Sequence, residues 1–222
     1  MTRLHRQHFF YDKLHGSTSD YFRLEAPGPS AHIYRIQQLT KSIASEKSNA
    51  IVNLHNAIPY QHWTAADLLA ERDAKRRYHF KWRLSHVAEA DSNIVGLCIA
   101  FFDCDSTPAH SYLYLHRIVV AEHFRRRGIG TRLIDQTCRS FLAITADKTY
   151  RVLLQTPRPA PLFATTSPKC FYERLGFSIV GEKEYGNRTD LVMQSTIGQV
   201  LPPTLVAPIA MQPSEGSSPS TS

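Results

Sequence analysis

A short basic stretch with two glycines, FRRRGIGTRL at residues 124–133, has the residue types that bind phosphate groups. Glycine adopts positive φ at little cost and lets a ligand approach the backbone closely. Successive N–H groups in such a turn converge on one anion, and the positive end of a following helix adds to the attraction. Arginines nearby can bind phosphate oxygens through paired hydrogen bonds. The stretch therefore predicts an anion site, while a basic surface turn that begins a helix remains the alternative.

Two common phosphate-binding motifs are excluded by the spacing. The sequence has no G-x-x-x-x-G-K-[ST] loop, and G-x-G-x-x-G fails because Leu133 stands where its last glycine would be. What remains is R-x-x-G-x-G, from Arg125 to Gly130, between a predicted strand and a predicted helix. This motif alone does not say which anion is bound.

The charge balance narrows the classes of partner. The 222 residues carry a formal net charge of +7, which favours polyanions such as nucleic acid, acidic proteins or a phosphate-rich small ligand. No apolar run approaches the roughly 20 residues that span a bilayer, so we expect no membrane partner. The first residues have no apolar region of a secretory signal. A cytoplasmic location is therefore predicted, with the nucleus as the alternative.

Cysteine and histidine spacing argues against a resident metal. The four cysteines show no C-x-x-C pair, and the eleven histidines form no H-x-H or H-x-x-x-H pair. We expect buried, reduced thiols and no metal cofactor.

The elements that must position the glycine turn predict an α/β (α+β) domain with a mixed sheet. In the first third of the chain, the patterns indicate a strand and then helices, over residues 21–25, 30–43, 45–56 and 64–74. The remainder indicates a hairpin and then alternating helices and strands, over residues 78–90, 93–103, 111–120, 129–142, 149–156, 169–175 and 177–194. Three parts follow: an N-terminal extension at residues 1–20, the domain at 21–197, and a disordered tail rich in Pro and Ser at 198–222.

A second motif, FYERLGF at residues 171–177, follows the glycine turn by about forty residues. Together with VVAEHFRRRGIGTRLI it resembles the two signatures of the GCN5-related N-acetyltransferase (GNAT) superfamily, in which an apolar strand ends five residues before R/Q-x-x-G-x-G/A. The resemblance covers residues 78–194 and lies nearest the arylalkylamine branch. It implies a mostly antiparallel sheet flanked by helices, and acetyl-CoA as cosubstrate.

The resemblance also implies which residues bind acetyl-CoA. The backbone of Ile118, Val119 and Val120 would pair with the pantetheine arm like an added strand. The pyrophosphate would lie against the glycine turn, which comprises Arg125, Arg126, Arg127, Gly128, Ile129, Gly130 and Thr131. From charge alone, Arg127 and Arg132 are candidates for the 3′-phosphate.

Acetyl transfer to an amine needs a base, a polarised carbonyl and a proton for the leaving thiolate. Tyr172 matches the family tyrosine beside the coenzyme A sulfur, so we expect it to be the general acid; a tyrosine packed on the core is the alternative. His116 is the candidate base, because a histidine pKa near about 6.5 suits proton acceptance. The alternation of the strand places it on one face with Tyr112, Tyr114, Ile118 and Val120. A histidine with no catalytic role is equally open, and weaker candidates are Glu122, His123 and His110.

The sequence predicts the acetyl acceptor less specifically than the acetyl donor. Many members that acetylate protein N-termini carry Asn seven residues before the family tyrosine, where this chain has Thr165. This departure favours a small amine, an (aryl)alkylamine or a polyamine. A protein lysine or N-terminus, presented by a basic peptide, is the alternative, and a non-catalytic module that binds nucleic acid or CoA is a further one. Several aromatic residues could line an acceptor pocket or pack in the core: Phe9, Phe10, Tyr11, Tyr60, Trp63 and Trp82.

Overall fold

A single mixed sheet organises the chain in the computed structural model, which describes residues 20–23, 33–58, 62–70, 78–104, 110–159, 167–186 and 188–201. Its strands are β1 (Asp20–Arg23), β2 (Ile33–Gln38), β3 (Tyr78–His79), β4 (His86–Ala90), β5 (Asn93–Asp103), β6 (Tyr112–Val120), β7 (Arg151–Pro157), β8 (Ser178–Tyr185) and β9 (Arg188–Thr196). The order is β1-β2-β4-β5-β6-β7-β9-β8, and β3 pairs with β5. Among the described strands, β6 and β7 are the parallel pair and the other pairs are antiparallel. The predicted mixed, mostly antiparallel sheet is confirmed.

Helices cover both faces of this sheet. The helices on one face are α1 (Lys41–Glu46), α2 (Ser48–Asn56) and α3 (Ala65–Leu69), and those on the other are α4 (Lys81–Leu84), α5 (Ile129–Thr145), α6 (Pro168–Arg174) and α7 (Ile197–Val200). Each face has its own apolar core. The face carrying α1, α2 and α3 is called the α1–α3 face below, and the opposite one the α5 face.

Two predictions of local structure are wrong. The helix expected over residues 30–43 is strand β2, whose buried Tyr34 and Ile36 alternate while its backbone pairs with β1 and β4. The strand expected over residues 78–90 is interrupted, because Phe80 adopts a left-handed conformation with φ of 59° and begins α4. Helix α1 starts only after its N-cap, Thr40.

The C-terminal end of the described domain differs from the prediction. Helix α7 was not expected; its N-cap Thr196 forms a capping box with Gln199, and Ile197 and Val200 are buried. The described domain therefore continues past the predicted boundary at residue 197. Residues 1–19 and 202–222 lie outside the described residues, as do Phe9, Phe10, Tyr11, Tyr60 and Thr165. Of the helices described, none is long and apolar enough to cross a membrane.

Candidate active site

Strands β6 and β7 separate and leave a cleft in the middle of the sheet. Their parallel pairing runs from Tyr112 with Arg151 to Leu115 with Leu154, whereas β6 continues to Val120 and β7 to Pro157. On its other side, β6 stays paired with β5 as far as Val120. An open strand edge can pair with an extended ligand through backbone hydrogen bonds. The predicted segment 118–120 lies on this edge.

A bulge in β6 occurs where the strands separate. Ile99 pairs with Arg117 and Ala100 pairs with Leu115, so His116 is an extra residue opposite β5. Tyr114 before the bulge belongs to the core of the α1–α3 face, whereas Ile118 and Val120 pack on the core of the α5 face. The prediction that these residues share one face is therefore wrong, because the bulge reverses the alternation.

The glycine turn joins the end of β6 to α5. Ala121 precedes a 3-10 helix at Glu122–Phe124, and then Arg126 and Gly128 take left-handed conformations with φ of 60° and 79°. Gly128 is the N-cap of α5. The Arg132 N–H donates to the Gly128 carbonyl at 3.0 Å, the first bond of the helix.

The amides of residues 129–131 precede that bond and lie at the positive end of a 17-residue helix. This geometry fits a pyrophosphate, because several N–H groups and the helix dipole point at one place.

The three arginines of the turn take different positions. Arg125 donates from Nε to the Val120 carbonyl at 3.1 Å and so ties the turn to the end of β6. The Arg127 guanidinium lies 5.6 Å from the centre of the Phe124 ring. All three arginines, Arg125, Arg126 and Arg127, are exposed. Arg126 and Arg127 are therefore available to an anion, while the Arg125 side chain has a structural contact.

Tyr172 lies on the α5 face of the cleft. It is 8 % exposed, and its ring centre lies 5.1 Å from that of Phe171 and 5.9 Å from that of Phe177. Burial raises the pKa of the Tyr172 phenol well above its ordinary value, and the neighbouring Cys98 thiol adds to the rise. Cys98 pairs with Ile118 of β6. The phenol is thus a protonated group close to the open segment of β6.

His116 lies on the α1–α3 face among aromatic rings. Its ring centre is 5.5 Å from Tyr114, 5.6 Å from Phe101 and 5.9 Å from Trp63. Tyr172 and His116 therefore approach the cleft from opposite faces of the sheet. The weaker candidates Glu122, His123 and His110 are exposed.

Trp63 is held in place by the end of α2. Its ring stacks on His55 with centres 4.1 Å apart. The Asn56 amide donates to the Trp63 carbonyl at 3.0 Å and accepts from the Trp63 N–H at 2.8 Å. Of the two aromatic residues expected near an acceptor that the structure describes, Trp63 and Trp82, Trp63 is thus the one whose ring lies next to His116.

Comparison with known families agrees with this arrangement. The model of the acetyltransferase (GNAT) domain family matches residues 81–179, a range that contains the bulge, the cleft, the glycine turn and Tyr172. These residues form a GNAT acetyltransferase domain. A search of curated protein sequences found no match.

Solved structures share the GNAT fold at low sequence identity. The ribosomal-protein-S18-alanine N-acetyltransferase from Escherichia coli is 14 % identical with a TM-score of 0.53, over 74 % of this chain and 94 % of that one. Ard1 from Thermoplasma volcanium is 17 % identical with a TM-score of 0.53, over 73 % and 97 %. An aminoglycoside 6′-N-acetyltransferase complexed with coenzyme A is 18 % identical with a TM-score of 0.51, over 80 % and 97 %.

The family match identifies residues 81–179 as an acetyltransferase domain. The open edge of β6 and the amides of the glycine turn fit acetyl-CoA as its cosubstrate. The roles of the individual residues stay predictions. The sequence analysis did not single out Arg117, which follows His116 in β6, although it is the one arginine within the apolar strand YLYLHRIVV.

Proposed function

We propose that this GNAT enzyme transfers an acetyl group directly from acetyl-CoA to a small primary amine, of the (aryl)alkylamine type. The observation that carries the proposal is the position of His116 at the start of the cleft, within a wall of aromatic rings formed by Tyr114, Phe101 and Trp63. Tyr114 and Phe101 are buried and support His116. The partly exposed Trp63 ring offers an apolar surface to an aryl group next to a group that can accept a proton.

The proton transfers are assigned to two side chains on opposite faces. An alkylamine with a pKa of about 10.4 must lose a proton before its nitrogen can attack, and His116 accepts that proton directly or through water. Acetyl-CoA supplies a thioester carbonyl, whose oxygen the Val120 N–H polarises. As the new C–N bond forms and the C–S bond breaks, Tyr172 donates its proton to the departing sulfur. After the attack the nitrogen releases its second proton to solvent, which leaves the neutral amide, and the phenol recovers a proton from solvent.

The charges near His116 favour an aryl amine over a polyamine. Arg117 follows His116 in the strand, and Arg117 interacts electrostatically with Arg188. Arg188 is paired with Asp190, so it is the Arg117 guanidinium that repels an acceptor with several ammonium groups more than one with a single ammonium group. The match to an acetyltransferase family speaks against a module that only binds nucleic acid or CoA.

A thiol-release assay with acetyl-CoA and a panel of acceptors tests the proposal. The panel contains arylalkylamines, polyamines, lysine peptides and peptides with a free N-terminus, and we expect the highest kcat/KM with an arylalkylamine. Turnover confined to the peptides would contradict the small-amine acceptor.

Acetyl-CoA should also raise the Tm of the protein, and the Gly128→Trp variant should lose that increase. An equal increase in both proteins would contradict the pyrophosphate site at the glycine turn.

A further inference from the structure

Arg117 places a guanidinium group next to the candidate base. It follows the bulged residue His116 in β6. Its guanidinium lies 5.6 Å from the centre of the Trp63 ring, and Nη1 donates to the His116 carbonyl at 2.7 Å. The cation therefore lies on the α1–α3 face, beside the aromatic wall of the proposed acceptor site.

Among the described residues no carboxylate forms an ion pair with Arg117, and Asp190 offsets its charge only through a longer-range electrostatic interaction. Its Nε is buried and has no hydrogen-bond partner within the described part of the chain. The nearby carboxylate of Asp190 is already bound by Arg188, with Nε to Oδ1 at 2.8 Å and Nη2 to Oδ2 at 3.0 Å. Burial lowers the pKa of Arg117, but an arginine remains protonated at neutral pH. A partly buried cation without an ion-pair partner is costly, so this arrangement favours the binding of an anion.

The Arg117 guanidinium lies near residues of β6 and of the β8–β9 hairpin. Arg117 interacts electrostatically with Tyr114 of its own strand and with Tyr185, Arg188 and Asp190 of the β8–β9 hairpin. Asp190 pairs with Pro157 at the end of β7, the strand that separates from β6. The guanidinium therefore lies beside the Trp63 ring and within electrostatic range of the β8–β9 hairpin, near the open part of the sheet.

We propose that Arg117 binds an anionic group of the acceptor, and that the substrate is a small amine that also carries a carboxylate, of the aromatic amino-acid type. The inference rests on the proposed function and narrows its acceptor. A carboxylate would receive hydrogen bonds from the guanidinium, while the aryl group would pack against Trp63. A polyamine has no group that could use the cation.

Matched acceptors test this inference. Phenylalanine and 2-phenylethylamine differ only by the carboxylate, and a charged hydrogen-bonding pair predicts a kcat/KM about 10- to 100-fold higher for phenylalanine. Arg117→Gln should remove this preference, and Arg117→Lys should keep part of it because the charge remains without the planar fork. The control is Arg158→Gln, which removes the same charge from an exposed residue paired with Glu182 at 3.1 Å. That variant should keep the preference.

A binding measurement separates this inference from the proposed function. 3-Phenylpropionate has the carboxylate but no amine, and calorimetry should show binding to the wild type that is at least about 10-fold weaker in Arg117→Gln. The Tm of ligand-free Arg117→Gln should be equal to or above that of the wild type, because the variant loses a partly buried charge that has no ion-pair partner among the described residues. If the carboxylate binds through Arg117 but no small amine is acetylated, the proposed function fails and the anion site stands. Equal binding to both proteins, or equal kcat/KM for the two acceptors, would overturn the inference.

Discussion

Gly130 and Phe171 pack so closely that a Cβ built on Gly130 would lie 3.2 Å from Cζ of the Phe171 ring. The same Cβ would lie 3.8 Å from Cγ2 of Val120. Gly130 belongs to the first turn of α5 and Phe171 to α6, one residue before Tyr172. The two sequence motifs are thus one contact in the structure, and the missing side chain lets α6 bring Tyr172 to the cleft.

Gly130→Ala should disturb the acetyl-CoA site through this contact. The Phe171 ring must move by a few tenths of an ångström, and overpacking of this kind costs about 1–3 kcal/mol. We expect a lower Tm and a higher KM for acetyl-CoA. The matched control is Gly181→Ala in β8, where no described atom lies within 4 Å of the added Cβ. Equal changes in Tm and KM for both variants would refute the role of the Gly130–Phe171 contact.

Tyr172→Phe should lower kcat without a comparable change in KM for acetyl-CoA. Loss of a general acid typically costs about 10²- to 10⁴-fold in rate, and the phenyl ring keeps the packing on Phe171 and Phe177. Because burial raises the pKa of Tyr172, the phenol stays protonated up to about pH 10, and it should produce no basic limb below that pH. The control is Tyr150→Phe, whose ring packs on Phe141 with centres 5.3 Å apart. Wild-type turnover by Tyr172→Phe would remove this residue from the mechanism.

Segments with one strong local pattern were predicted well. The predicted apolar face of α5 includes Ile129, Leu133 and Phe141, and all three are buried. Strand β5 is a continuous apolar run, and all of its residues between Asn93 and Asp103 are buried. Strand β2 was misread because its apolar spacing fits a helix as well, and what decides is pairing with β4, which is distant in the sequence.

The geometry of the site depended on information that the local sequence does not contain. No glycine or proline marks the bulge at His116, and only the register against β5 places it. That single extra residue changes the face of Ile118 and Val120. The sequence also does not show that Arg117 lacks an ion-pair partner. That follows from the structure, in which the nearby carboxylate of Asp190 is paired with Arg188.

His116→Gln should change the pH dependence of catalysis. An ordinary histidine loses its base form as the pH falls below about 6.5, so kcat/KM of the wild type should show an acidic limb. The glutamine variant should have a lower kcat/KM and no such limb from this residue. The matched control is His123→Gln in the exposed 3-10 helix, which should keep the limb. An unaltered acidic limb in His116→Gln would mean that another group is the base.

His86 should make folding stability depend on pH. It is 5 % exposed, and burial lowers its pKa to about 4, against a smaller opposing effect of the hydrogen bond to the Leu84 carbonyl at 3.1 Å. Because Leu84 offers only an acceptor there, Nδ1 carries the proton, and Nε2 accepts from the Ser140 hydroxyl at 3.3 Å. A second proton would turn the Ser140 hydroxyl into an acceptor and place a positive charge in the core, and the burial of that charge is the cost.

The direction of this pH dependence follows from the pKa values of His86 in the unfolded and in the folded chain. An unfolded histidine titrates near about 6.5, so the unfolded chain binds more protons than the folded one between pH 6.5 and 4. The contribution of His86 is fully present above pH 6.5 and is lost as the pH falls towards 4. The difference of about 2.5 pH units corresponds to a loss of about 3 kcal/mol.

Urea unfolding of His86→Gln at several pH values measures this dependence. The glutamine keeps a donor and an acceptor but does not titrate, so the free energy of unfolding should fall less between pH 6.5 and 4 than in the wild type. His79→Gln, at an exposed position, should follow the wild-type curve. If His86→Gln and the wild type lose the same free energy over this range, then other groups cause the loss in acid and His86 does not contribute to it.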